Sequence, residues 1–173
     1  MRKVWLALCV TLAGCTMVGK QVGERPESSP TGNYSARLQV SEASPQVFEK
    51  RLIIRNARRE SIVVDLPIER SASIVWCSGK NKAVVIDSFA SNENRLIIID
   101  LDAGVREVID RQTVQKFDSN ALALQKYSHV YFRNVRWINS KVVACKVEMF
   151  DPVTDNVPSN ESAVLEIPIP VRD

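Results

Sequence analysis

The runs Ser73-Ile74-Val75-Trp76-Cys77, Ala83-Val84-Val85-Ile86 and Arg95-Leu96-Ile97-Ile98-Ile99 are short and dense in branched side chains. Branching at Cβ stiffens χ1 and favours a pleated strand over a helix. Ser78-Gly79-Lys80-Asn81 supplies the turn between the first two runs. The same texture extends outward. Upstream lie Leu52-Ile53-Ile54 and Ile62-Val63-Val64-Asp65-Leu66, the latter stopped by Pro67. Downstream lie Arg106-Glu107-Val108-Ile109, His129-Val130-Tyr131-Phe132, Val135-Arg136-Trp137-Ile138, the stretch 141–150 and Val164-Leu165-Glu166-Ile167. Asp102-Ala103-Gly104 and Asp151-Pro152 close two of these runs. The pattern predicts an all-β domain, either a small antiparallel sandwich or open stacked hairpins with propeller-blade-like sheets. A short helix or an ordered loop is expected over 118–127, where Asp118 or Ser119 offers an N-cap before Ala121-Leu122-Ala123-Leu124. The tail Ile167-Pro168-Ile169-Pro170-Val171 suits an edge, because proline has no ladder donor.

Two hairpin-like stretches echo each other. Trp76 precedes a polar turn and the pair Val84-Val85; Trp137 precedes a shorter turn and the pair Val142-Val143. Trp, hairpin, strand and an acidic turn resemble one blade of a β-propeller. The alternative is two unrelated hairpins that share common residues. A closed propeller needs at least four blades, more than this chain can supply.

The chain has 173 residues, enough for one domain with a core. Hydrophobic residues make up 45% and charged residues 25%, which argues against wholesale disorder. His129 is the single histidine, so a histidine-rich metal site is excluded and a Ser/His/Asp arrangement has one candidate base. The formal net charge of +3 is too weak to point to nucleic acid.

The N-terminus decides the expected compartment. Met1-Arg2-Lys3 precedes the apolar stretch 4–13, a signal-peptide pattern. The stretch is too short for a membrane span, which needs roughly twenty residues. It ends in Leu12-Ala13-Gly14-Cys15, which resembles a bacterial lipoprotein box. The resemblance implies cleavage before Cys15, a lipid on its sulfur and acylation of the new amine. Thr16 in place of aspartate implies sorting to the outer membrane, with the protein on its periplasmic face. Removing residues 1–14 takes Arg2 and Lys3 from the 23 basic residues, leaving 21 against 20 acidic ones. Residues 15–46, rich in Gly, Ser and Pro, are expected to form a flexible tether, with a single β-domain over 47–173. On the oxidising side of the envelope, Cys77 and Cys145 read as a disulfide, the alternative being two buried thiols.

Catalytic equipment is sparse. There is no Gly-x-Ser-x-Gly elbow and no phosphate-binding glycine loop. Asp100 and Asp102 share a strand end, where aspartate serves backbone hydrogen bonding. The basic residues Lys50, Arg51, Arg55, Arg58 and Arg59 are balanced in part by Glu49 and Glu60 and read as a solvated edge. The functional alternative is a docking patch for an acidic partner or lipid headgroups. Aromatics at 6% give little support to a carbohydrate platform. No catalytic residue, metal or cofactor is therefore assigned, and the protein reads as a non-enzyme that binds another protein.

A lipoprotein signal ahead of a small β-domain is similar in overall layout to immunity lipoproteins that neutralise type VI secretion lipases. The resemblance implies a stoichiometric inhibitor of a secreted toxin. The candidate contact loops are 88–94, with Ser88, Asn92, Glu93 and Asn94, and 115–128, with Lys116, Asp118, Asn120 and Lys126. Alternatives are an accessory lipoprotein of a secretion or envelope-assembly machine, and a periplasmic enzyme or ligand carrier.

Overall fold

The computed structural model describes residues 20–116, 127–151 and 161–169. The three apolar runs become β6 (Ser71–Trp76), β7 (Lys82–Ser88) and β8 (Arg95–Asp100). They pair antiparallel in the middle of a five-stranded sheet, with β1 (Lys20–Gln21) and β9 (Val105–Ile109) at its edges. These strands lack a polar face because both faces of this sheet are covered. Val75, Val84, Leu96 and Ile98 enter one core; Ile74, Trp76, Ala83, Val85, Ile97 and Ile99 enter another. Successive strand residues point to opposite faces, so burial on both sides demands an unbroken apolar run.

The second core is closed by a four-stranded sheet of β2 (Glu27–Ser28), β3 (Tyr34–Ser44), β4 (Val47–Asn56) and β5 (Ile62–Ile68). Tyr34, Ala36, Leu52, Ile54, Val64 and Ile68 supply its inner face. The first core is closed by a three-stranded sheet of β10 (His129–Asn139), β11 (Val142–Phe150) and β12 (Glu161–Pro168). Val130, Phe132, Val135, Val143, Cys145, Val147, Met149, Leu165 and Ile167 supply that face. The fold is a three-layer stack of antiparallel meanders, and the layers follow chain order. Among the described residues no sheet is closed into a barrel. In each echoed hairpin the tryptophan faces the preceding layer: Trp76 joins the core against β2–β5, and Trp137 packs against the core shared with the central sheet. The Trp137 indole N–H also donates to the Val75 carbonyl at 3.1 Å.

Two sequence expectations need correction. The tether does not extend through residue 46. From Lys20 the chain pairs with β6, and β3 pairs with β4 from Tyr34 to Ser44. Val22, Tyr34 and Ala36 are buried at 3%, 5% and 0% exposure. The stretch reads as a linker because its anchoring apolar residues are few and widely spaced. β1 and β2 have two residues each, and β3 buries alternate residues only near its start. Beyond that start, β3 and β4 leave β2 and β5 behind and project as a solvated ribbon. Its turn places Gln46 at φ 68°, and Val47 and Phe48 beside it are 53% and 63% exposed.

The disulfide does not form. Cys77 and Cys145 are both buried free thiols, outside disulfide distance. Cys145 lies mid-strand in β11, paired with Leu165, whereas Cys77 lies just beyond the end of β6 in the neighbouring layer. A disulfide needs Cα atoms roughly 4.4–6.8 Å apart. Burial pushes both thiols up, that of Cys145 to about 12. The expected helix falls mostly on residues outside the described set; before it stands a 3-10 turn, Thr113–Lys116. β12 is an edge strand ending in Pro168, where the missing amide costs no ladder bond.

Antiparallel pairing gives the stack two ends. Lys20 lies opposite Ile74, and β1 runs against β6, so the chain enters from the side of the turn at 77–81. At this entry end the three layers are tied together. Thr31 Oγ1 donates to Asn81 Oδ1 at 2.9 Å, the Tyr34 hydroxyl donates to Asp102 at 2.9 Å, and Lys82 Nζ donates to the Ser140 carbonyl at 3.3 Å. The opposite end carries the ribbon turn and candidate loop 88–94.

Titration of the chain from Thr16 with a thiol reagent after unfolding should therefore give two reactive groups, Cys77 and Cys145, without reductant. The native protein should react far more slowly at Cys145 than at an exposed thiol. A single species that loses both signals until reduced would restore the disulfide.

Candidate functional site

Loop 88–94 starts where the β7–β8 ladder ends. The last pair in that ladder is Asp87 opposite Arg95. Asp87 is fully buried, and its Oδ2 accepts from Arg95 Nε at 2.9 Å and Nη2 at 2.8 Å. Burial raises the Asp87 carboxyl, while Arg95 pulls it back down. Arg95 also lies over the Phe89 ring at 5.0 Å from its centroid. The loop is thus clamped at its base.

Its returning limb is fastened along β10. The amide of Val130 donates to the Asn92 carbonyl at 2.9 Å, and Asn92 Nδ2 donates to the Ser128 carbonyl at 3.0 Å. Asn94 copies a backbone: its Oδ1 accepts the Phe132 amide at 2.7 Å and its Nδ2 donates to the Phe132 carbonyl at 3.1 Å. The Tyr131 hydroxyl donates to the Ser91 carbonyl. An exposed strand edge is a template for unwanted pairing, and this limb covers the β10 edge.

The segment ahead of the second candidate loop is fastened to the first. Arg111 reaches Glu93 at 3.1 Å, both side chains being roughly three-quarters buried. The 3-10 turn that follows is capped by Asp110, whose Oδ1 accepts from the amides of Gln112 and Thr113 at 3.0 and 2.8 Å. Burial opposes ionisation of Asp110, yet these hydrogen bonds outweigh it and hold its carboxyl below the usual range. Val114 in this turn is fully buried and closes the core.

Loop 88–94 therefore meets Arg111, ahead of the second candidate loop, and Ser128, at its end, along the start of β10. The structure separates their residues by role. Ser91 is exposed; Ser88, Phe89, Asn92 and Glu93 are half-buried; Lys116 is exposed. Asn94 is 5% exposed and faces inward, so it is a structural residue and leaves the list of contact candidates. Asp118, Asn120 and Lys126 lie outside the described residues. The sequence reading missed Phe89 and Phe48, although an aromatic in a polar loop or turn is the signal that marks interface anchors.

His129 sits beside this junction. Ser128 Oγ lies 2.9 Å from His129 Nδ1 and donates to Asp151 Oδ1 at 3.1 Å. Ser128 thereby stands between the carboxylate and the imidazole and orients the ring through Nδ1. Phe150 stacks on His129 at 4.7 Å, Tyr131 stacks on Phe150 at 5.8 Å, and Arg133 lies 4.8 Å from the Tyr131 ring. These rings spend their faces on one another, as a cross-strand ladder does.

Asp100, Asp102, Arg51 and Lys50 are also occupied structurally. Asp100 accepts from the amides of Asp102 and Ala103 and pairs with Lys82 at 3.2 Å. Asp102 accepts from Tyr34 and Asn81, and burial followed by this bond raises the Tyr34 hydroxyl. Arg51 pairs with Asp65 at 2.7 Å, and Lys50 donates to the Arg70 carbonyl. Among the described residues no three metal-ligating side chains cluster. Comparison with protein-family models, characterised proteins and solved structures finds no match for this chain.

Arg95→Ala should destabilise the fold by about 3 kcal/mol in urea, because a buried carboxylate loses its partner. Asp87 holds its proton to higher pH when folded than when unfolded. Stability should fall as pH rises through that interval, and Asp87→Asn should remove this component. Asn94→Ala should cost about 2 kcal/mol and speed hydrogen exchange at the Phe132 amide, as expected when two buried backbone groups lose partners. Unchanged exchange there would show that Asn94 does not hold the β10 edge.

Proposed function

We propose that this protein is an outer-membrane lipoprotein, anchored through Cys15 on the periplasmic face, whose β-domain binds another protein as a stoichiometric inhibitor. The toxin class with the best support is a secreted lipase of the type VI kind, from the resemblance in layout. The observation that carries the binding role is loop 88–94, clamped at its base by Asp87 and Arg95 and along one limb by Asn92 and Asn94. A loop ordered before encounter loses little entropy on binding, which is what a tight inhibitor requires.

Its position favours the same reading. Loop 88–94 stands at the end opposite the chain entry, away from a lipid held at Cys15. The exposed Phe48 on the ribbon points to that end too and offers an aromatic anchor. His129, held by Ser128 and stacked on Phe150, contributes to the frame of the loops.

The parent protein should incorporate labelled palmitate and fractionate with outer membrane, and Cys15→Ala should do neither. A strain lacking the protein should become sensitive to a lipase toxin encoded beside its gene. The parent should restore resistance and capture that toxin one to one. Ser91→Arg should weaken capture at least about tenfold with the fold intact, the effect of a charge buried in an interface core. Unchanged sensitivity to every neighbouring toxin, with a constant envelope complex in its place, would favour an assembly role.

A further inference from the structure

We propose that the chain-entry end of the stack is a docking surface for an anionic phospholipid bilayer, through Arg58, Arg59, Lys80 and Lys141 on three adjacent turns. This inference rests on the lipid-anchor reading and deepens it.

The first support is length. Five peptide steps separate Cys15 from Lys20 and span at most about 18 Å. Lys20 is in register with Ile74. From Ile74 to the tip of the turn at Gly79 is five residues, a drop of roughly 16 Å along a strand. A lipidated Cys15 therefore reaches little beyond the plane of the turns. The thirty-residue tether expected from composition would have allowed the domain to float; the observed strands remove that freedom and bring the entry end to the headgroups.

The second support is charge. The β4–β5 turn presents Arg58 and Arg59, both exposed. Their backbone amides donate to Asn56 Oδ1 at 3.0 Å each, which fixes the turn without using the guanidinium groups. The β6–β7 turn presents Lys80 and the β10–β11 turn presents Lys141, both exposed. Among the described turn residues at this end the acidic groups are Glu60, Asp100 and Asp102. Asp100 is taken by Lys82. Asp102 accepts from the neutral groups of Tyr34 and Asn81, which fix its carboxylate without cancelling its charge. Four exposed cations therefore stand against two exposed carboxylates, Glu60 and Asp102. The ties Thr31–Asn81, Tyr34–Asp102 and Lys82–Ser140 hold these turns as one surface. A lipid chain joined to a basic patch is a two-signal attachment that holds more firmly than either alone. Docking this end also points loop 88–94 away from the bilayer.

The test uses the processed chain from Thr16, which lacks the acyl site and retains all twelve strands. It is sedimented with vesicles of phosphatidylcholine alone, or with about one third phosphatidylglycerol, at ~0.05 M and ~0.5 M salt. Binding should require phosphatidylglycerol and fall at high salt. Each of Arg58→Ser, Arg59→Ser, Lys80→Ser and Lys141→Ser should weaken it about fivefold, and the four together at least about a hundredfold. Arg70→Ser with Lys116→Ser, at the opposite end, should change it less than about twofold. The four positions are exposed turn residues, and thermal unfolding identifies any variant that fails to fold; the single variants then carry the comparison. Binding that ignores phosphatidylglycerol, or that falls equally with the opposite-end pair, overturns the surface. Palmitate labelling of the full chain is read separately. Labelling without selective vesicle binding keeps the anchor and rejects the surface, and the reverse result rejects the anchor alone.

Discussion

The constraint on which this fold depends is burial of β6, β7 and β8 on both faces. Each residue in the middle of these strands must satisfy one of two cores. Val84 and Leu96 enter the core shared with β10–β12, while their neighbours Ala83, Val85 and Ile97 enter the core shared with β2–β5. A central strand of this kind tolerates neither a charge nor a gap in its middle, because no face drains to water. Polar residues are therefore driven to its ends. Asp87, at one end of β7, survives in the interior only because Arg95 stands opposite it. Asp100 and Lys82 pair at the other end.

The division of labour between the two ends follows from that exclusion. Since chemistry cannot sit in the middle layer, the loops and turns hold it. One end ties the three layers through hydroxyl, amide and carboxylate groups, and its outward charges are mostly basic. The other end carries long connections, and these are disciplined by hydrogen bonds to β10. Asn94 acts there as a surrogate strand residue, satisfying both backbone groups of Phe132. The same bonds that protect the β10 edge give loop 88–94 its set shape, so protection and presentation are a single device.

Legibility differed by element. The strands β6, β7, β8 and β11 were plain in the sequence, since dense branched side chains leave few other conformations. β1 and β3 were not, because Gly23, Pro26, Ser28, Ser29, Pro30 and Gly32 crowd the same stretch. Their turns outnumber their core residues, and only pairing to β6 and β4 shows that Val22, Tyr34 and Ala36 are buried. The cysteine pair misled for a related reason: compartment and parity of number say nothing about where two strands lie relative to each other. That loop 88–94 is fastened through Arg111–Glu93 and Asn92–Ser128 was not readable, because the partners lie 18 and 36 residues apart.

By itself the sequence determined the β class, the strand positions wherever branching is dense, the scarcity of catalytic groups and the resemblance of Leu12-Ala13-Gly14-Cys15 to a lipoprotein box. These are local properties of side chains and their immediate neighbours. The tertiary structure alone decided that three meanders stack in chain order, that strand pairing is already present at Lys20, that Cys77 and Cys145 stay apart, and that loop 88–94 lies opposite the chain entry. Those outcomes depend on which apolar face covers which, and each face is assembled from residues distant in the chain.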